Sequence, residues 1–464
     1  MVMGLFGRTE AYPYTPITTS PTRGPSPKTQ FVRIVSLILI LTLIVCTTIT
    51  PLYLTHTRHV STGNWPSWVD TANPAEYLKT TRQPIPVPGA DESLLMLKTG
   101  AQVLWQRLPV QMVRLQEIYA PNTAFYSDLE ETIQGHTMIN ILANSSDKLL
   151  QNPQFKPYHE QLKLHKEGVS LSDANIGGGW DLDKYKWVPM FYHAYKNNPN
   201  MKWYIFYEAD SFLFWNSLNR WLLKNYDHNK PWYMGSVNIL GSTLFGHGGS
   251  GVVVSQAAMR MTFSDPFDPA DYDDMAIATC CGDGLLADVM LKKGVKIWEE
   301  QNGRFQGEQT YAIRHEPSNW CEPIFTLHHL KPHEVSMLHE WEKTLDPSKT
   351  IVYRDLYEQF VHKELAETKT DWDNMSEDVK IDHATLIKEF AEDERVLRDG
   401  KGQPNLESAC KLKCEAWKEC FQWQVNDKQC VNNSKVRLGQ KKSGVVSGWL
   451  MDRVNTLREK QCSS

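Results

Sequence analysis

A chain of 464 residues, 41% hydrophobic and 22% charged, has the composition of a globular protein with room for two or three domains. A formal net charge of -5 and the lack of any Lys/Arg-rich run exclude nucleic acid as a partner class. The 16 Trp and 18 Tyr suit a protein that packs rings against sugars, and suit an ordinary core equally well.

In chain order, residues 1–30 are rich in Pro, Thr and Ser and read as a disordered cytosolic tail. Ile34 to Leu54 carries no charge and is long enough to cross the hydrocarbon core as a helix, so 31–55 is assigned as a membrane anchor. It is too long, and begins too late, for the apolar region of a cleaved signal peptide. Arg8, Arg23, Lys28 and Arg33 precede it against Glu10 alone, which keeps the N-terminus cytosolic and sends the rest into the lumen. Eight of the nine cysteines follow the anchor, as befits an oxidising compartment. Three N-x-S sequons, at Asn144, Asn374 and Asn432, follow it too, and this topology makes all three accessible to glycosylation. Repeated prolines over 56–92 (Pro66, Pro74, Pro84, Pro86, Pro88) read as a stem.

Ordered structure is expected from Ser93. Leu94-Leu95-Met96-Leu97 reads as a buried strand ending in Lys98-Thr99-Gly100, and a helix-like stretch runs through Val110 and Leu115. Thr123 to Tyr126 reads as a strand ending at Ser127-Asp128, Tyr185 to Tyr195 has helical spacing, and Trp203 to Tyr207 is the strongest strand pattern in the chain. Strands alternating with helices predict an α/β domain over 93–345 with a mixed, largely parallel sheet, whose ligands gather at the carboxyl ends of the strands. Residues 346–404 are charged and helix-prone, and predict a helical extension. Residues 405–464 form a small disulfide-rich α+β module, with Cys410, Cys414, Cys420 and Cys430 oxidised in one of three connectivities. Adjacent cysteines rarely bond each other, so Cys321 is expected to bridge to Cys280 or Cys281, leaving Cys462 to pair outside the four.

Glu208-Ala209-Asp210 directly follows the strongest strand, where a carboxylate can hold a divalent metal and, through it, a diphosphate. Asp181-Leu182-Asp183, Asp271-Tyr272-Asp273 and Asp371-Trp372-Asp373 have nearly the same form but follow no long apolar strand. Downstream, FGHGGSGVVVS offers glycines that let backbone approach a ligand closely. Cys280-Cys281-Gly282-Asp283 opens an amphipathic segment, where the plain role for Asp283 is a helix N-cap. Leu327-His328-His329-Leu330 offers an imidazole for a metal, although paired histidines are more often packing residues.

In order and spacing, LKTGAQVLWQRLP, FYSDLE, GGWDLDKYKW, WYIFYEADSFLFW, GHGGSGVVVS, CCGDGLLA and LHHL resemble glycosyltransferase family 31, the inverting β-1,3-transferases, over about Leu94 to Leu330. CKLKCEAWKECFQWQ with SGWL resembles the PAN/apple-like module carried by the fungal branch of that family. The resemblance implies a GT-A-type nucleotide-sugar domain on a type II Golgi membrane protein. It further implies transfer from a UDP-sugar, with inversion, to a glycan or glycoprotein acceptor. By the same resemblance Asp210 and His329 hold Mn²⁺ (or Mg²⁺), with His328 the second choice, and Asp283 is the catalytic base. Thr99, Arg107, Asp128, Glu208, Ala209 and Asp210 line the nucleotide-sugar, with Gly248 and Gly249 beside sugar and acceptor. The chain departs from the family in Glu208 for an Asp, in Ala209 at a position often acidic, and in Gly282 for the first of two acids before the base. A catalytically silent glycan-binding protein on the same fold is the alternative, and loss of Asp283 or of the metal ligands would favour it.

Overall fold

The computed structural model describes residues 84–301 and 303–462. The tail, the anchor assigned to 31–55 and most of the stem lie outside the described residues. Among the described residues, no helix is long and apolar enough to cross a membrane.

A seven-stranded sheet organises the first part of the structure. At its centre β1 (Ser93–Lys98) pairs in parallel with β2 (Thr123–Ser127) on one side and with β5 (Trp203–Glu208) on the other. β4 (His136–Asn140) continues the parallel run beyond β2, and β3 (Glu131–Ile133) edges β4 antiparallel. On the far side, β10 (Val252–Ser255) and β7 (Tyr233–Gly235) add antiparallel strands, giving the order β3-β4-β2-β1-β5-β10-β7. Two short pairs flank the sheet: β6 (Phe212–Leu213) with β11 (Thr326–Leu327), and the hairpin of β8 (Val237–Leu240) and β9 (Thr243–Gly246).

The central strands are continuous apolar runs because both faces are covered. Leu94, Met96, Tyr204, Phe206, Val252 and Val254 enter one core together with α2 (Gly179–Asn197) and α4 (Gly282–Lys292). The alternate residues Leu95, Leu97, Ile205, Tyr207 and Val253 enter a second core with α1 (Leu104–Glu117) and α3 (Trp215–Asn225).

The C-terminal region builds a five-stranded antiparallel sheet in the order β12 (Thr368–Asp373), β16 (Gln440–Trp449), β14 (Gln422–Val425), β15 (Gln429–Asn433), β13 (Val379–Asp382). β14, β15 and β16 come from the expected module, and α5 (Leu406–Ala416) is fastened to them by Cys410–Cys430 and Cys414–Cys420. The segment 346–404 is not simply the helical extension expected of it. It supplies both edge strands, β12 against β16 and β13 against β15. Those strands read TKTDWD and VKID, too polar to announce a buried face, so ladder bonds to their neighbours decide their conformation.

Two expectations about cysteines are overturned. Cys280 and Cys281 are bonded to each other, and Cys321 pairs with Cys462 at a Cα separation of 5.3 Å. The pairing with Cys462 follows from the chain end folding back over Trp320, whose indole N–H donates to the Lys460 carbonyl at 3.1 Å.

Candidate metal centre

The centre begins where β5 stops. The Ala209 N–H donates to the Lys98 carbonyl at 3.0 Å and the Ser211 N–H turns back to the Glu208 carbonyl at 2.9 Å, leaving Asp210 only 7% exposed at the carboxyl end of the sheet. The β6–β11 pairing then draws a distant segment across the site, and the Leu330 N–H donates to the Asp210 carbonyl at 2.9 Å. This clamp sets His328 Nε2 at 3.5 Å from Asp210 Oδ1. Glu208, Asp210 and His328 each offer a donor atom, and the three atoms lie within 4.8 Å of one another.

His329 lines the same cavity but is not among the three. Its backbone takes the left-handed conformation (φ 57°), and its ring lies alongside that of His328 with centroids 3.9 Å apart. Of the two histidines considered from the sequence, the geometry therefore brings His328 to the carboxylates. Gly249 makes the room: a Cβ there would lie 2.0 Å from His328 Cε1. Ala209, 2% exposed, belongs to the second core together with Leu97 and Tyr207 and also lines the cavity.

The donor set, two carboxylates and an imidazole, could hold a divalent metal ion. Asp210 Oδ1 and His328 Nδ1 are buried without hydrogen-bond partners, and an unsatisfied buried carboxylate oxygen is costly unless a cation meets it. Asp210 Oδ2 pairs with Arg107 at 3.0 Å. Burial alone would raise the Asp210 pKa, but His328 and then Arg107 outweigh it and hold the carboxyl below its ordinary value.

A buried charge network supports these residues. Lys98, 2% exposed at the end of β1, donates to both carboxylate oxygens of Asp183 (2.7 and 2.6 Å) and pairs with Glu208 at 3.1 Å. Lys186 reaches Asp183 at 3.3 Å and Asp128 at 3.4 Å. Burial would lower the Lys98 pKa and raise that of Asp183; instead the Asp183 and Glu208 carboxylates push Lys98 up, and Lys98 with Lys186 pulls Asp183 down. The Asp128 carboxylate also accepts the Ala101 N–H at 2.6 Å, so it fastens the loop between β1 and α1. Thr99, Arg107 and Asp128 all face the one cavity, of about 560 Å³, that contains the metal-competent group.

Asp283 lines the same cavity. Its Oδ2 accepts the Gly248 N–H at 2.9 Å and its Oδ1 the Gly284 N–H at 2.8 Å. The N-cap of α4 is Cys281, two residues earlier, so Asp283 does not serve as the cap. Gly282 is dictated by packing: a Cβ there would lie 2.1 Å from Trp187 Cδ1 and 2.7 Å from Lys184 Cα. Gly248 is pinned in the same way, with 2.3 Å to the Trp187 ring. Trp180, 74% exposed on the first turn of α2, and the Cys280–Cys281 disulfide line the cavity as well.

The cavity gathers every site residue expected from the sequence, Thr99, Arg107, Asp128, Glu208, Ala209, Asp210, Gly248, Gly249, Asp283, His328 and His329, and adds Lys98, Asp183, Lys186, Trp187 and His247, which were not expected in it. Asp183, Lys186 and Trp187 stand at i, i+3 and i+4, which places them on one face of α2; that spacing was the available signal. His247 bonds Ser250 Oγ at 2.8 Å through Nδ1, and burial holds its pKa below the ordinary value. No protein-family model matches the chain, and no curated protein does.

Proposed function

We propose that the chain is a metal-dependent, inverting glycosyltransferase with a GT-A-type nucleotide-sugar domain. It would move a sugar from a UDP-sugar to a hydroxyl of a glycan or glycoprotein acceptor, in a β-1,3-type linkage. The observation that carries this reading is a metal-competent group, Glu208, Asp210 and His328, sharing one cavity with an aspartate that is not needed as a helix cap. A bound Mn²⁺ or Mg²⁺ supplies Lewis-acid charge to the departing diphosphate.

The chain's own residues have distinct tasks. Arg107, half-exposed beside Asp210, adds positive charge where the diphosphate lies. Lys98 and Lys186 hold Glu208, Asp183 and Asp128 in place from below. Asp283 takes the proton of the acceptor hydroxyl as the new oxygen–C1 bond forms and the bond from C1 to the diphosphate oxygen breaks on the opposite face. One displacement of that kind inverts the anomeric centre. The eight cysteines of the described region are all disulfide-bonded, which accords with residence in the lumen of the Golgi behind a type II anchor.

Calorimetry of UDP and UDP-sugars on the detergent-solubilised full chain, with and without Mn²⁺, followed by transfer assays on glycan acceptors, tests the proposal. Mn²⁺-dependent UDP binding with transfer is the expected result. A chain that binds no UDP in the presence of Mn²⁺ would overturn it.

A further inference from the structure

The three sequons differ sharply in the folded molecule, which corrects the expectation that all are accessible. Asn374 is 0% exposed. Its amide nitrogen donates to the Trp423 carbonyl at 3.0 Å and the Gly448 carbonyl at 3.5 Å, and its oxygen accepts from Ser376 Oγ at 2.8 Å. Asn432, 1% exposed on β15, donates to the Cys410 carbonyl at 3.3 Å beneath α5. An N-linked sugar replaces one amide hydrogen and needs open space beside the nitrogen. Neither residue has that space, and both amides tie strands or helix together inside the C-terminal module.

Asn144 is the opposite case. It is exposed in the turn after β4, at the rim of a second cavity of about 710 Å³ lined by Tyr185, Tyr192 and Tyr272. Tyr185, Val188 and Tyr192 of α2 line this cavity, whereas Trp180, Asp183 and Trp187 line the one with the metal-competent group, so the two open on different faces of the helix. A glycan on Asn144 leaves the candidate site clear.

We infer that Asn144 is the one N-x-S site of this protein that carries an N-linked glycan in its folded form. The donor is a lipid-diphosphate-linked oligosaccharide of the secretory pathway. The Asn144 amide nitrogen forms the bond to the sugar C1, the bond from C1 to the diphosphate oxygen breaks, the amide gives up one proton and the lipid diphosphate leaves. The hydroxyl of Ser146, the third residue of the sequon, is engaged in the folded state: it accepts the Leu149 N–H at 3.2 Å and donates to Asp273. The transfer therefore precedes closure of this turn. Chains modified instead at Asn374 or Asn432 cannot close the module and are absent from the folded pool. The inference needs only passage through the secretory pathway and stands apart from the proposed catalytic activity.

The test is expression of the full chain in a eukaryotic secretory cell, isolation of the folded, monodisperse protein, and glycopeptide mapping with endoglycosidase gel shifts. One glycan at Asn144 is expected, with the gel shift lost in Asn144→Gln and kept in Ser146→Thr, which preserves the sequon. Mn²⁺-dependent UDP binding, measured in parallel, should be the same for Asn144→Gln and wild type, so failure of either reading is seen separately. A wild-type chain without sugar at Asn144, or a glycopeptide at Asn374 or Asn432 in folded protein, overturns the inference.

Discussion

Replacing Asp283 by Asn separates chemistry from scaffold. Both carboxylate oxygens accept backbone N–H groups, from Gly248 and Gly284. An amide has one oxygen, so one of these donors loses its acceptor and meets an NH₂ group instead. An unpaired, largely buried N–H costs about 1–3 kcal/mol, well within the roughly 5–15 kcal/mol that holds a typical domain together. Asp283→Asn should therefore melt a few degrees lower and still fold. Its effect on transfer should be far larger. An amide cannot take the acceptor proton, and a positioned general base contributes about 10²–10⁴-fold, or roughly 3–5 kcal/mol of barrier. Donor binding should survive, because Arg107 and the metal-competent group are untouched. Thermal denaturation, calorimetry with UDP and Mn²⁺, and transfer rates on the same preparation make the comparison. A folded variant whose transfer stays within about threefold of wild type would refute the assignment of Asp283 as base.

Asp210→Asn removes the charge of the central carboxylate, and should weaken Mn²⁺ binding by about 100-fold or more, beyond what loss of an outer partner does; unchanged Mn²⁺ titration by calorimetry would dismiss the centre. Gly282→Asp should destabilise the fold by more than about 1–3 kcal/mol, because its Cβ would collide with Trp187 and the Lys184 backbone. A Tm equal to wild type would show that this contact yields easily. Burial holds the pKa of His315 down, from 6.5 to about 3, so the folded state needs its imidazole neutral. That contribution to stability is complete above pH 6.5 and falls about tenfold in the folding equilibrium per pH unit below it, until the folded value is reached. Urea denaturation between pH 6.5 and 5 should show wild type losing stability on this slope relative to His315→Phe, and parallel curves would contradict it.

Local pattern locates the central strands, because Leu94 to Leu97 and Trp203 to Tyr207 are short continuous apolar runs of the kind that a sheet covered on both faces buries. It likewise placed Glu208 and Asp210 at a strand's carboxyl end, and marked Cys410, Cys414, Cys420 and Cys430 for oxidation. Partners distant in the chain were decided by tertiary structure. Whether His328 or His329 approaches Asp210 depends on the pairing of β6 with β11, more than a hundred residues apart in sequence. Asp183, in a motif that follows no strand, joins the site only because α2 lays its charged face over Lys98. Cys321 meets Cys462 because the chain end returns to Trp320, and β12 and β13 are strands because β16 and β15 offer them open edges. Three identical sequon patterns become one exposed and two sealed asparagines for the same reason: burial belongs to the packed chain, and a pattern of three residues carries no record of what will cover it.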